Sequence, residues 1–116
     1  VELKEGMYVR SRLGIGKIIK VDEDDVTIDF SNITIVLPIS NTNIYKTSYN
    51  IVDLIKKDDI LLGNDGKMYQ CWKIYKGYVF TYSKNKEGQT ITLVDYQINR
   101  VLTKEQFESM AYKVGD

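Results

Sequence analysis

Two stretches of this chain carry the same succession of short apolar alternations about 52 residues apart, and that repetition constrains the fold more than any other feature. Val26-Thr27-Ile28-Asp29-Phe30 places an apolar side chain at every second position, the period of a half-buried strand. Tyr78-Val79-Phe80-Thr81-Tyr82 alternates in the same way 52 positions later. At the same displacement Leu3 meets Ile55, Tyr8-Val9 meets Ile60-Leu61, and Gly14 meets Gly66. Between these anchors Ile15, Ile19 and Val21 share a face and correspond to Met68, Trp72 and Ile74, if Lys67 is inserted and the second hairpin turn is one residue shorter. Ile33-Thr34-Ile35-Val36 matches Ile91-Thr92-Leu93-Val94 almost letter for letter. A tandem repeat is the economical explanation. On it Val26, Ile28 and Phe30 are core, and so are Tyr78, Phe80 and Tyr82.

Each repeat of about 50 residues holds four or five short strands, the size of a small barrel. Closure removes the exposed edges that an open sheet of this size would carry. The expected fold is therefore all-β: two tandem SH3-like or KOW-like barrels and one short C-terminal helix. The expected organisation is a first lobe over 1–47, a connector over 48–54, a second lobe over 55–102, and a helix with a final strand over 103–116. Ala111 is the only alanine and β-branched and aromatic residues abound, which disfavours a helical bundle. The helix is announced by Thr103-Lys104-Glu105-Gln106, a capping box, with Phe107 and Met110 on one stripe. Tyr112-Lys113-Val114 would add the last strand.

Several function classes are excluded by what is missing. The formal net charge of zero argues against a DNA-coating or polybasic membrane protein. There is no histidine, so Ser-His-Asp and Cys-His catalysis and every His-ligated metal site are ruled out. A single cysteine, Cys71, forbids an internal disulfide. The longest apolar runs are strand-sized, no cofactor motif is complete, and neither a signal peptide nor a membrane span is legible. The expectation is a cytoplasmic, non-enzymatic protein with no cofactor and no membrane partner.

Three segments together, Leu3-Lys4-Glu5-Gly6-Met7-Tyr8-Val9-Arg10, Tyr49-Asn50-Ile51-Val52-Asp53-Leu54-Ile55 and the ending from Leu102 to Val114, resemble a group of small prophage and mobile-element proteins of low-GC Gram-positive bacteria. The ending is the most specific part. The resemblance implies a phage or mobile-element origin and supplies no catalytic residues.

Among candidate sites, the acidic run Asp22-Glu23-Asp24-Asp25 lacks the alternating ligands, glycine and distal glutamate of a calcium loop, so it is a solvated turn. Cys71 falls inside a strand with no histidine to activate it, which makes it a packed thiol. Gly14-Ile15-Gly16 is turn chemistry, since no helix or Lys-Ser/Thr follows to complete a phosphate loop. The remaining candidate is an outward row of Tyr69, Lys73 and Tyr75, whose two tyrosines and lysine suit a protein interface or a stack of bases. Residues 1–54 hold six basic and eight acidic groups and residues 55–116 ten and eight, so the second lobe is the more basic. The expected function is binding of a host or phage protein through this row, as in an inhibitor of a host defence complex such as a CRISPR nuclease. The alternative is a nucleic-acid module using the basic hairpin of the second lobe.

Overall fold

The computed structural model describes residues 2–108, which fall into two compact units divided after Leu54. In the first unit, β1 (Tyr8–Ser11), β2 (Gly14–Val21), β3 (Asp25–Asp29), β4 (Thr34–Pro38) and β5 (Ile44–Ser48) form one antiparallel sheet in the order β4-β3-β2-β1-β5. A 3-10 turn at Ile39–Asn41 leads into β5 and another at Ile51–Leu54 follows it. In the second unit, β6 (Ile60–Gly63), β7 (Met68–Tyr75), β8 (Tyr78–Lys84), β9 (Thr90–Leu93) and β10 (Ile98–Leu102) take the order β10-β6-β7-β8-β9. Its 3-10 turn, Asp95–Gln97, again precedes the last strand, and a helix over 104–108 follows. The two strand orders are the same. The chain is β-rich as expected, but each sheet is open rather than closed into a barrel: among the described residues no ladder joins β4 to β5 or β9 to β10.

The duplication extends to irregularities. Strand β1 pairs with β5 through a register shift beside Ser11, and β6 pairs with β10 through a shift beside Ile98 at the equivalent place. The long hairpins match as closely. Val21↔Val26, Lys20↔Thr27 and Ile18↔Ile28 in one become Ile74↔Val79, Lys73↔Phe80 and Cys71↔Thr81 in the other, with a bulge at Ile19 and at Trp72. The equivalences within this hairpin lie 53 residues apart, whereas β1 and β6 lie 52 apart, and both hairpins turn through two residues. Lys76 and Gly77 make their turn with φ of 48° and 81°, the left-handed pair that matches the twist of the flanking strands. The last hairpin strand aligns as Thr34-Ile35-Val36-Leu37 with Thr90-Ile91-Thr92-Leu93, two positions from the best letter match.

That one-residue difference moves side chains across the sheet, because strand side chains alternate. Val26, Ile28 and Phe30 are buried as expected, with Val9 and Ile18. In the second unit the inward residues of β8 are Val79 and Thr81, while Tyr78 and Tyr82 are half exposed. On β2 the buried hydrophobic side chain is Ile18, and Ile19 points out; on β7 Tyr69 and Cys71 are buried, whereas Met68 and Trp72 are exposed. A bulge sets two consecutive residues on one face, which simple alternation does not allow for. Buried Thr81 is satisfied by donating from Oγ1 to the Ile91 carbonyl at 2.8 Å.

Each unit fills its interior by its own size pairing. Gly16 lies under Ile28 and Phe30, and a Cβ there would fall 2.7 Å from each of their side chains. At the equivalent positions stand Tyr69 and Ser83, so the large ring has moved to the neighbouring strand, where it approaches Gly63. Buried charged groups tie the closing turns back. Arg10 Nη1 donates to the Leu54 carbonyl at 2.8 Å, and Asp59 accepts from the backbone N–H groups of Lys56 at 2.7 Å and Lys104 at 2.9 Å. Residues 48–54, expected to connect the lobes, belong to the first unit, with Val52 and Leu54 buried. The capping box forms: Gln106 accepts from the Thr103 N–H at 2.8 Å and donates its own N–H to Thr103 Oγ1 at 3.3 Å. Phe107, expected to anchor the helix in the core, is 40% exposed, so truncating it will cost far less than a core deletion. Met110 and the strand expected at Tyr112–Val114 lie outside the described residues.

Candidate functional site

The row expected from the sequence is split by the β7 bulge. Tyr69 points inward at 6% exposure, and its hydroxyl donates to Asp65 Oδ2 at 2.6 Å. That hydrogen bond lowers the Asp65 pKa and raises that of the Tyr69 phenol, because it favours the carboxylate and the neutral phenol together. Tyr69 is therefore a core residue with a satisfied hydroxyl, not a surface anchor. Lys73 and Tyr75 do face outward.

What joins Lys73 and Tyr75 is a set of residues that the 52-residue displacement had assigned to the core. Tyr78 lies directly opposite Tyr75, and Phe80 opposite Lys73. The Lys73 ammonium sits 4.7 Å from the Trp72 ring centroid and 4.9 Å from that of Phe80, within cation–π range of both. Lys76 Nζ lies 5.4 Å from the Tyr75 ring. With Tyr82 two residues beyond Phe80, five aromatic side chains and Lys73 share the outer face of β7–β8. Trp72 is 38% exposed, Tyr75 58%, Tyr78 50% and Tyr82 52%. The signal for these residues was the turn: a two-residue Lys-Gly loop forces Tyr75 to pair with Tyr78, and the alternation follows from that pair.

The same scaffold carries a different face in the first unit. The positions of Trp72, Tyr75, Tyr78, Phe80 and Tyr82 are there held by Ile19, Asp22, Asp25, Thr27 and Asp29. Lys20 occupies the place of Lys73 and pairs with Asp22 at 3.6 Å rather than lying between rings. Residues 67–86 contain Lys67, Lys73, Lys76, Lys84 and Lys86 and no acidic residue. The corresponding residues 14–33 contain Lys17 and Lys20 against Asp22, Glu23, Asp24, Asp25 and Asp29. Val26 and Val79, and Val9 and Leu61, keep an inward apolar residue across the repeat, although buried Ile28 gives way to Thr81, while the outer face changes both chemistry and sign.

The other candidates offer less chemistry. Cys71 is buried, and its thiol is pushed up to about 11 by burial first and by the nearby Asp59 and Asp58 charges next, so at neutral pH it is a protonated packing group. Among the described residues no group of three acidic, histidine or cysteine side chains is placed to hold a metal ion. A cavity of about 170 Å³ in the first unit is lined by Leu3, Ile39, Thr42, Ile44, Tyr45, Lys46 and Thr47, with one lysine and no carboxylate at its wall. Among the described residues no helix is long and apolar enough to cross a membrane. No family model and no curated protein matches this chain.

Proposed function

We propose that this is a non-catalytic binding protein of phage or mobile-element origin, whose working surface is the outer face of β7–β8 and whose partner is anionic. The two units then count as SH3-like in strand order, a meander whose fifth strand returns beside the first after a 3-10 turn, although their sheets stay open. The observation that carries the proposal is the contrast between the two copies of one hairpin. Solubility and folding are served by the acidic face of β2–β3, so nothing in the scaffold requires five outward rings on β7–β8. Exposed aromatic area surrounded by lysines is costly to leave in water and useful only when something covers it. A site on a face rather than in a pocket suits recognition, and the candidate nucleophile Cys71 is buried and protonated. The phage origin rests on the sequence resemblance. An acidic protein surface, as on a defence complex under inhibition, and a nucleic acid both satisfy the charge requirement.

The test copies the first unit onto the second. Tyr75→Asp, Tyr78→Asp, Phe80→Thr and Tyr82→Asp together install the side chains of Asp22, Asp25, Thr27 and Asp29 at equivalent positions. The variant is expected to keep the β-sheet circular dichroism of the native protein and to lose retention on a polyanionic heparin column at low salt. Unchanged retention would place the working surface elsewhere.

A further inference from the structure

Resting on the β7–β8 face as the contact surface, we propose that its partner is single-stranded nucleic acid, with bases stacked on the outward rings and phosphates held by the surrounding lysines. The rings are arranged for this. Tyr78, Phe80 and Tyr82 follow one another on one strand, which spaces them about 7 Å apart, and Tyr75 and Trp72 lie on the adjoining strand. A sheet face holding several half-exposed rings offers successive platforms to successive bases, and stacking needs no particular base because each has a π-face. Lys73 is held between Trp72 and Phe80, a cation placed among the stacking rings instead of beside a carboxylate. Lys76, Lys84 and Lys86 belong to the same hairpin and its end, and residues 67–86 contain no acidic residue to repel a phosphate backbone, although Lys67 at the other end is near Asp65.

The same facts choose between strands and duplexes. A duplex hides the faces of its bases in its own stack, so it can meet the lysines but leaves the rings with nothing to cover them. Reading its major groove takes an inserted helix or a two-stranded ribbon with polar side chains that reach base edges; this face presents rings. A single strand satisfies both sets of groups at once. An acidic protein satisfies the lysines and uses the rings only as apolar area, and it remains as an outcome of the test.

Trp72 is the only tryptophan of the chain and stands in the proposed site, so its fluorescence reports occupancy directly. The 116-residue chain is titrated with a twelve-nucleotide oligothymidylate, and in parallel with a twelve-base-pair duplex, at several salt concentrations. The expected result is strong quenching by the single strand, affinity at least about tenfold above that for the duplex, and a log–log salt slope of about −2 to −3.5 for three to five phosphates at about −0.7 each. Tyr78→Thr/Phe80→Thr/Tyr82→Thr is expected to weaken binding at least tenfold while keeping that slope. Lys73→Gln makes the slope shallower by about 0.7 and needs no ring removed, so it serves should the triple variant fail to fold. Tyr45→Thr, on the first unit, is expected to change neither. Equal affinity for duplex and single strand, or full affinity in the triple variant, would overturn base stacking. No quenching by the oligonucleotide at 50 mM salt would overturn a nucleic-acid partner. In that event heparin retention that is still lost in the four-residue graft keeps the face with an acidic protein as its partner, and retention that survives the graft discards the face as well.

Discussion

Neighbouring residues on β8 should respond to truncation in the opposite order to their size. Val79 has no exposure, whereas the larger Tyr78 is half exposed and lies opposite its cross-strand partner Tyr75. Val79→Ala removes two buried carbons, about 1.6 kcal/mol at roughly 0.8 kcal/mol each. A cavity that collapses only partly adds up to roughly another 1 kcal/mol, for about 2–3 kcal/mol in all. Tyr78→Thr keeps a β-branched residue in the strand and loses one exposed cross-strand pair, roughly 0.2–1 kcal/mol. Urea unfolding followed by Trp72 fluorescence separates the two, because Trp72 lies on the adjacent strand of the same hairpin. With an m value of about 1.5–2 kcal/mol per molar urea, Val79→Ala should lower the midpoint by roughly 1–2 M at unchanged m, and Tyr78→Thr by less than about 0.7 M. If Tyr78→Thr costs as much as Val79→Ala, Tyr78 is a core residue, the register of β8 is off by one, and the aromatic face does not exist.

Two further outcomes follow from the interior. Gly16→Ala sets a methyl 2.7 Å from the Ile28 and Phe30 side chains and 3.0 Å from the Asp29 carbonyl; overpacking of about 1–3 kcal/mol outweighs the ~0.4–1 kcal/mol gained from a stiffer unfolded chain, so denaturation should show a net loss of about 1–2 kcal/mol, and an unchanged midpoint would disprove the close approach. Cys71, held at about 11 against an ordinary 9.0, should resist iodoacetamide in the folded protein at pH 8 and react in urea, with its contribution to stability intact below pH 9 and lost as pH rises through about 11; fast native labelling would refute its burial.

The duplication was legible because both copies alternate apolar residues along their strands and share anchors at one displacement, such as Val9 and Leu61, which must each be apolar to bury one face of a sheet. The capping box at Thr103 was plain in four letters. The site was not legible, and the cause is specific. Tyr78, Phe80 and Tyr82 are large and alternate cleanly, so they look more like a core row than Val79 and Thr81 do. Matching them to Val26, Ile28 and Phe30 sets the register one residue out, and a one-residue slip reverses both faces. The bulge at Trp72 then hides the error, since it lets Tyr69 face inward and Lys73 and Tyr75 outward on one strand. Barrel closure was expected from the cost of open edges, yet whether edge strands meet depends on the coiling of the sheet, which alternation does not encode.

Backbone amide chemical-shift mapping of the 116-residue chain during titration with the oligothymidylate tests the location and nature of the site together. The account predicts that the largest changes fall on residues 72–82, spread to the flanking lysines Lys67, Lys84 and Lys86, and leave the matching hairpin of the first unit unmoved. Changes centred instead on the cavity beside Tyr45, or on residues 14–33, would contradict it.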